Sequence, residues 1–132
     1  MLFLLETQEH AIKWLQLANT HMEAAKTLFV NINPRPLEMI CCHAHQSAEK
    51  SLKAFLFYRN QTPPAVTDLP ALGELCVKVD GSFADLTFLC ESLNRYNELS
   101  MDPFQFDISD AEAEIAMKRA LEIFMFVNKK IR

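Results

Sequence analysis

The chain has 132 residues, half of them hydrophobic, only 2 glycines and a formal net charge of −4. That length suits a single domain spanning 1–132 with a proper core, and the scarcity of glycine argues against turn-rich β structure. The acidic balance excludes a basic, DNA-type electrostatic grip as the dominant binding mode.

In chain order, Met1-Leu2-Phe3-Leu4-Leu5 is too short for a signal-peptide core and lacks a basic leader. No segment approaches the roughly 20 apolar residues of a membrane span. A cytoplasmic, non-membrane protein is expected. A first helix is predicted over about 5–31, where Ala11, Trp14, Ala18, Met22, Ala25 and Phe29 recur at three- and four-residue steps. Asn33-Pro34-Arg35-Pro36 stops it, because proline and the residue before it resist helix. A second helix runs from about Pro36 to Tyr58 and ends at the loop Asn60-Gln61-Thr62-Pro63-Pro64.

Asp68 is placed as the cap of a third helix from Leu69 to about Val79. Ser82 is placed as the cap of a fourth, with Leu86, Leu89, Leu93 and Tyr96 on one face. Met101 to Phe106 reads as irregular, with the Phe104 and Phe106 rings folding back onto the bundle. Ser109 and Glu112 have the spacing of a capping box for a last helix whose stripe is Ala116, Ala120, Ile123, Val127 and Ile131. The acidic residues Asp107, Asp110, Glu112 and Glu114 complement the positive end of its dipole, and Lys129, Lys130 and Arg132 its negative end. Together these segments predict an all-α, up-and-down bundle of four to five helices.

The second helix carries the densest chemistry. At about 100° per residue, Ala44, Ala48, Leu52 and Phe55 share one side. Gln46, Glu49, Lys50 and Lys53 gather on the other, read here as an outward polar face. Lysine suits a phosphate, glutamine a base or sugar, and Glu49 would position a lysine. The plain alternative is a solvated face with a Glu49–Lys53 pair worth a few tenths of a kcal/mol.

Cys41, Cys42, His43 and His45 offer helical ligand spacing, but no second Cys/His cluster completes a zinc site. The four cysteines at 41, 42, 76 and 90 match no disulfide framework and read as reduced thiols. No metal and no cofactor is expected.

These residues also carry a family resemblance. Trp14-Leu15, Ala18 and Ala24-Ala25-Lys26 are followed by His45-Gln46-Ser47-Ala48-Glu49-Lys50-Ser51-Leu52-Lys53-Ala54. The latter resembles the Gln-x-Ala-Glu-Lys-x-Leu-Lys-Ala motif of the HEPN domain (higher eukaryotes and prokaryotes nucleotide-binding). Pro63-Pro64 with Thr67-Asp68-Leu69 and Leu72 is similar to the family's His-Asp-Leu turn, with Thr67 where the histidine stands. Many members are metal-independent ribonucleases using an Arg-x(4–6)-His motif, a cation for the phosphate and a side chain titrating near neutrality. Here the histidines are at 10, 21, 43 and 45; Arg35 lies too far upstream of His43 or His45, and no histidine follows Arg95. The family's Arg-Tyr-Pro after the fourth helix falls on Met101-Asp102-Pro103 in this reading, with only the proline kept.

The resemblance therefore implies a homodimeric binding module without nuclease equipment. Its candidate nucleotide- or RNA-binding residues are Gln46, Glu49, Lys50 and Lys53, and it would work beside a minimal nucleotidyltransferase, as in toxin–antitoxin pairs. The alternatives are a divergent ribonuclease toxin using Arg95 with His43 or His45 from a neighbouring helix or subunit, and a purely structural dimerisation domain.

Overall fold

In a computed structural model, the described residues are 2–98 and 107–131, and among them the chain is helical with no strand. The α-helices are α1 (Leu2–Asn31), α2 (Leu37–Tyr58), α3 (Leu69–Val79), α4 (Thr87–Leu93) and α5 (Asp110–Ile131). Short 3₁₀ turns at Gly81–Leu86 and Asn94–Glu98 flank α4. The expected all-α bundle is what forms. The Met101 to Phe106 readings lie outside the described residues.

The predicted stripes build the core. Ala11, Ala18, Met22 and Ala25 of α1 are buried, joined by Leu15, while Trp14 and Phe29 pack half-buried at its edge. Ala116, Ala120, Ile123 and Val127 of α5 face the same core. Between them runs α2, whose small residues Ala44, Ser47, Ala48, Ser51 and Ala54 are fully buried. Small side chains let two neighbouring helices approach one backbone closely. Ser51 keeps its hydroxyl satisfied inside the core by donating to the Ser47 carbonyl at 2.8 Å.

Arg35, in the proline turn between α1 and α2, straps three elements together. Its Nε donates to the Phe29 carbonyl at 2.7 Å, its guanidinium lies 4.0 Å over the Phe29 ring, and it pairs with Asp110 at 2.9 Å. The N-terminal ends of α2 and α5 are thereby held near one another. At the other end of α2, Asn60 takes a left-handed conformation (φ 59°), and the Gln61 and Asn60 N–H groups bond the Leu56 and Phe57 carbonyls at 2.8 and 3.0 Å. This is a Schellman stop with asparagine in the usual glycine place.

The chain from Arg59 to Asp68 then returns along α2, so that α3 begins near His45, where Thr67 shares a cleft with it, and reaches Leu52 by Cys76. Asp68 caps α3 as predicted, accepting from the Ala71 N–H at 3.2 Å. It also accepts from Asn94 Nδ2 at 2.8 Å, and Asn94 Oδ1 accepts from the Leu69 N–H at 3.1 Å. One carboxylate thus fixes the start of α3 to the end of α4. Asp68→Ala should cost about 1–2 kcal/mol in denaturant unfolding, and its effect should not add to that of Asn94→Ala, because the two share the lost bonds.

Three local expectations are corrected. The fourth helix is not one α-helix from Ser82: Asp80, not Ser82, is the cap, accepting from the Ser82 N–H and hydroxyl at 3.0 and 2.7 Å and binding Lys130 at 2.9 Å. The first turns take 3₁₀ geometry; Leu86, Leu93 and Tyr96 of the expected face are buried together with Phe83 and Cys90, while Leu89 is half-buried. The Ser109–Glu112 box forms only one way: Ser109 Oγ accepts from the Glu112 N–H at 3.1 Å, while the Glu112 carboxylate turns to Tyr96 and Arg95 instead. The third correction concerns the polar face of α2.

Candidate functional site

The side of α2 carrying Glu49 and Lys53 is not a solvated outward face. Glu49 is 3% exposed and Lys53 8%, both beneath the α1–α2 seam, while Gln46 and Lys50 are half-buried at its mouth. A helical wheel groups residues correctly but says nothing of what covers them, and α2 lies between neighbours on several sides. Burial of these charges is permitted because they meet on one atom: Glu49 Oε2 accepts from Lys53 Nζ at 2.8 Å and from Lys50 Nζ at 3.0 Å. Burial pulls the Glu49 carboxyl upward, but the two lysine hydrogen bonds outweigh it and hold the group below its ordinary value. Two lysines against one glutamate leave the cluster with a net charge of +1.

Trp14 of α1 roofs this cluster. Lys50 Nζ and Lys53 Nζ lie 5.6 and 5.7 Å from its ring centre, and the Trp14 ring stacks on Phe57, which stacks on His10. The aromatic faces favour the two ammonium groups where water is partly excluded.

Beside the cluster opens a cleft of about 180 Å³ lined by Cys42, His45, Gln46, Glu49, Lys50, Thr67, Tyr96 and Asn97. Three of the four candidates, Gln46, Glu49 and Lys50, therefore share one concavity; Lys53 stands behind Glu49, holding the carboxylate from its buried side. Gln46 Nε2 points to the Cys42 sulfur at 3.5 Å. His45 is 4% exposed, and its Nε2 has no hydrogen-bond partner of good geometry among the described residues. Burial lowers its pKa against the opposing pull of Glu49. The Asn94 side chain and the Thr67 backbone lie close enough to the ring to act on it as hydrogen-bond partners, and both oppose the effect of burial.

Thr67, Tyr96 and Asn97 had no place among the sequence candidates. They reach the cleft only because the 59–68 segment and the end of α4 return to the same part of α2, and no local spacing announces that. Tyr96 and Asn97 stand in the 3₁₀ turn Asn94–Glu98 that follows α4. Tyr96 donates to Glu112 at 2.9 Å, and burial together with its neighbours pushes the phenol above its usual range.

Arg95, His43 and His45 are not brought into one cleft. Arg95 lines a second hollow of about 340 Å³ between α4 and α5, paired with Glu112 at 3.1 Å. His43 sits in the α1–α2 seam against His21, with the two Nδ1 atoms 2.9 Å apart. Cys41 is fully buried and its thiol is pushed up to about 12 by desolvation; Cys76 and Cys90 behave alike, and all four cysteines are free.

Burial lowers the pKa of His21, His43 and His45 from the ordinary 6.5. The unfolded chain then takes up protons before the folded one as pH drops. Stability is fully present above about pH 6.5 and declines as pH falls through the lower folded values. Urea unfolding should give a plateau near neutrality and a falling free energy by about pH 5.5; a flat profile across that window would contradict the neutral, buried state of these rings.

A family model described as HEPN domain matches residues 11–130, from the middle of α1 to the end of α5. No curated protein and no solved structure matches the chain. The match supports a nucleotide- or RNA-related module in general. No helix among the described residues is long and apolar enough to cross a membrane.

Proposed function

The chain belongs to the HEPN domain family, and from that premise we propose that it is a non-catalytic binding module taking the phosphate of a nucleotide or RNA at the Lys50 cleft. The observation that carries this reading is the lysine pair on Glu49 Oε2: a fixed, partly dehydrated cluster of net positive charge at the mouth of a polar cleft. Lys50 supplies the cation, Gln46 and Asn97 offer amide groups, and Thr67 offers a hydroxyl. Glu49 and Lys53 hold Lys50 in place, which reduces the entropy that binding would otherwise cost.

The protein acts as a homodimer beside a minimal nucleotidyltransferase, of the toxin–antitoxin type. Support for a self-association surface comes from Phe88 and Ile115, both exposed on the α4–α5 side, where Arg119 lies 5.0 Å over the Phe88 ring. Within one chain Arg95 and His43 or His45 lie in different places, so RNA cleavage by that pair would have to draw the arginine and the histidine from two subunits.

In a thermal-shift series, ATP or a short single-stranded RNA should raise the unfolding temperature saturably, the gain reaching about 2.7 kcal/mol at a hundredfold excess over Kd. Lys50→Ala should remove the shift while leaving the fold, since Glu49 keeps Lys53. RNA cleavage without metal, abolished by Arg95→Ala, would replace this reading by the ribonuclease one; no shift with either ligand would leave the structural dimer.

A further inference from the structure

The cleft beside Lys50 is small, and its size limits what can enter. At about 180 Å³ it has roughly six times the ~30 Å³ share of a water molecule. Pockets that enclose a drug-sized ligand run from about 300 Å³ upward. A phosphate group fits, while a base and most of its sugar stay outside. Tyr96 is the aromatic residue in the lining; it is 5% exposed and its hydroxyl is committed to Glu112 at 2.9 Å. Trp14 is stacked on Phe57 and has both lysine ammonium groups within 5.7 Å of its ring centre. Both rings are engaged, so the cleft lacks the free platform on which single-stranded RNA stacks successive bases.

The charge is equally local. Lys50 Nζ donates one of its three protons to Glu49 at 3.0 Å, which leaves two for a ligand. Gln46 Nε2 is held by the Cys42 sulfur, a weak acceptor 3.5 Å away, and can turn toward a phosphate oxygen. His45, its pKa lowered by burial, is neutral at pH 7.5 and adds no charge. The segments that bound the cleft have no lysine or arginine over 36–49, 60–77 and 96–117, so they provide no basic track leading away from Lys50. A polyanion gains affinity by engaging several phosphates at once. Here one ammonium group is presented, with Lys53 behind Glu49. A cluster of net charge +1 attracts an anion in proportion to that anion's charge. A terminal phosphomonoester carries about −1.5 to −2 near neutral pH, an internal diester a single negative charge.

Resting on the phosphate reading above, we propose that the Lys50 cleft selects a terminal phosphomonoester over an internal phosphodiester. The group enters end-on, its oxygens against Lys50 and Gln46, and the rest of the ligand lies across the mouth. A mononucleotide and the phosphorylated end of an RNA both present that group.

The test is calorimetric titration of the full chain at pH 7.5 with AMP, cyclic AMP and adenosine, and with one short RNA carrying a 5′-phosphate or a 5′-hydroxyl. AMP should bind at least tenfold more tightly than adenosine and than cyclic AMP, whose phosphate is a diester. The phosphorylated RNA should exceed its hydroxyl form by a similar factor. A preference confined to one of these two sets identifies the source of the phosphomonoester. Lys50→Ala should abolish each preference, and because the preferences are read on the wild type, a variant that fails to fold does not obscure them. AMP binding no more tightly than cyclic AMP or adenosine, or the two RNAs binding equally, overturns the proposal. If Lys50→Ala then weakens both members of such a pair alike, the phosphate reading survives that failure. No binding of any of these ligands overturns both.

Discussion

Replacing Glu49 with alanine should cost about 3–5 kcal/mol of folding stability and lower Tm by roughly 10–20 °C. The carboxylate side chain is 4% exposed, and the ammonium side chains it joins are 10% and 18% exposed at Lys53 and Lys50. Removing it leaves two like charges facing each other under Trp14, with the acceptor they share gone. The loss is the cost of buried, uncompensated cations rather than the net worth of the ion pairs, which is far smaller. Lys53→Met is therefore the informative contrast. It removes a charge, keeps most of the volume and leaves Glu49 paired with Lys50, so it should cost about 1 kcal/mol or less. Equal, small losses for both variants would mean that the lysines relax into water and that the cluster is not held.

Phe83→Ala should destabilise by a similar amount, about 3–5 kcal/mol. Phe83 is 1% exposed in the 3₁₀ turn, packed on Phe55 of α2 at 4.2 Å between ring centres and edge-on to Phe126 of α5 at 4.9 Å. Truncation leaves a void where three elements meet, and the surrounding rings cannot collapse into it without shifting α5. Val30→Ala, at a side chain 75% exposed, should alter stability by only about 0.5 kcal/mol or less. Denaturant unfolding of the two variants side by side measures the difference directly.

Much of the fold was legible because its signals are local. The three- and four-step stripes of α1 and α5 each needed only one helix's periodicity, and Asp68 caps at the distance its position implies. The fourth helix misled because its first turns obey Asp80, a residue whose carboxylate is also claimed by Lys130 from the far end of the chain. Glu112 misled for the same reason: Tyr96 and Arg95 compete for the side chain that would have closed the capping box.

The site was half legible. Gln46, Glu49, Lys50 and Lys53 share a side of α2, and the wheel found that. Their burial was not legible, because it depends on Trp14, which lies on another helix and reads simply as core. Thr67, Tyr96 and Asn97 complete the cleft from segments that meet α2 only through the return of the 59–68 connection. His21 and His43, separated by 22 positions, meet for the same tertiary reason.

The central claim is that the Glu49-held lysines receive a phosphate at the cleft. Calorimetric titration of ATP and of a short single-stranded RNA into the wild type and Lys50→Ala, at low and moderate salt, tests it most directly. The expected result is one-site binding of at least one ligand, weakened by added salt and at least tenfold weaker in a Lys50→Ala protein that is still folded. Equal affinity in the two proteins, or no binding of either ligand to the wild type, would contradict it.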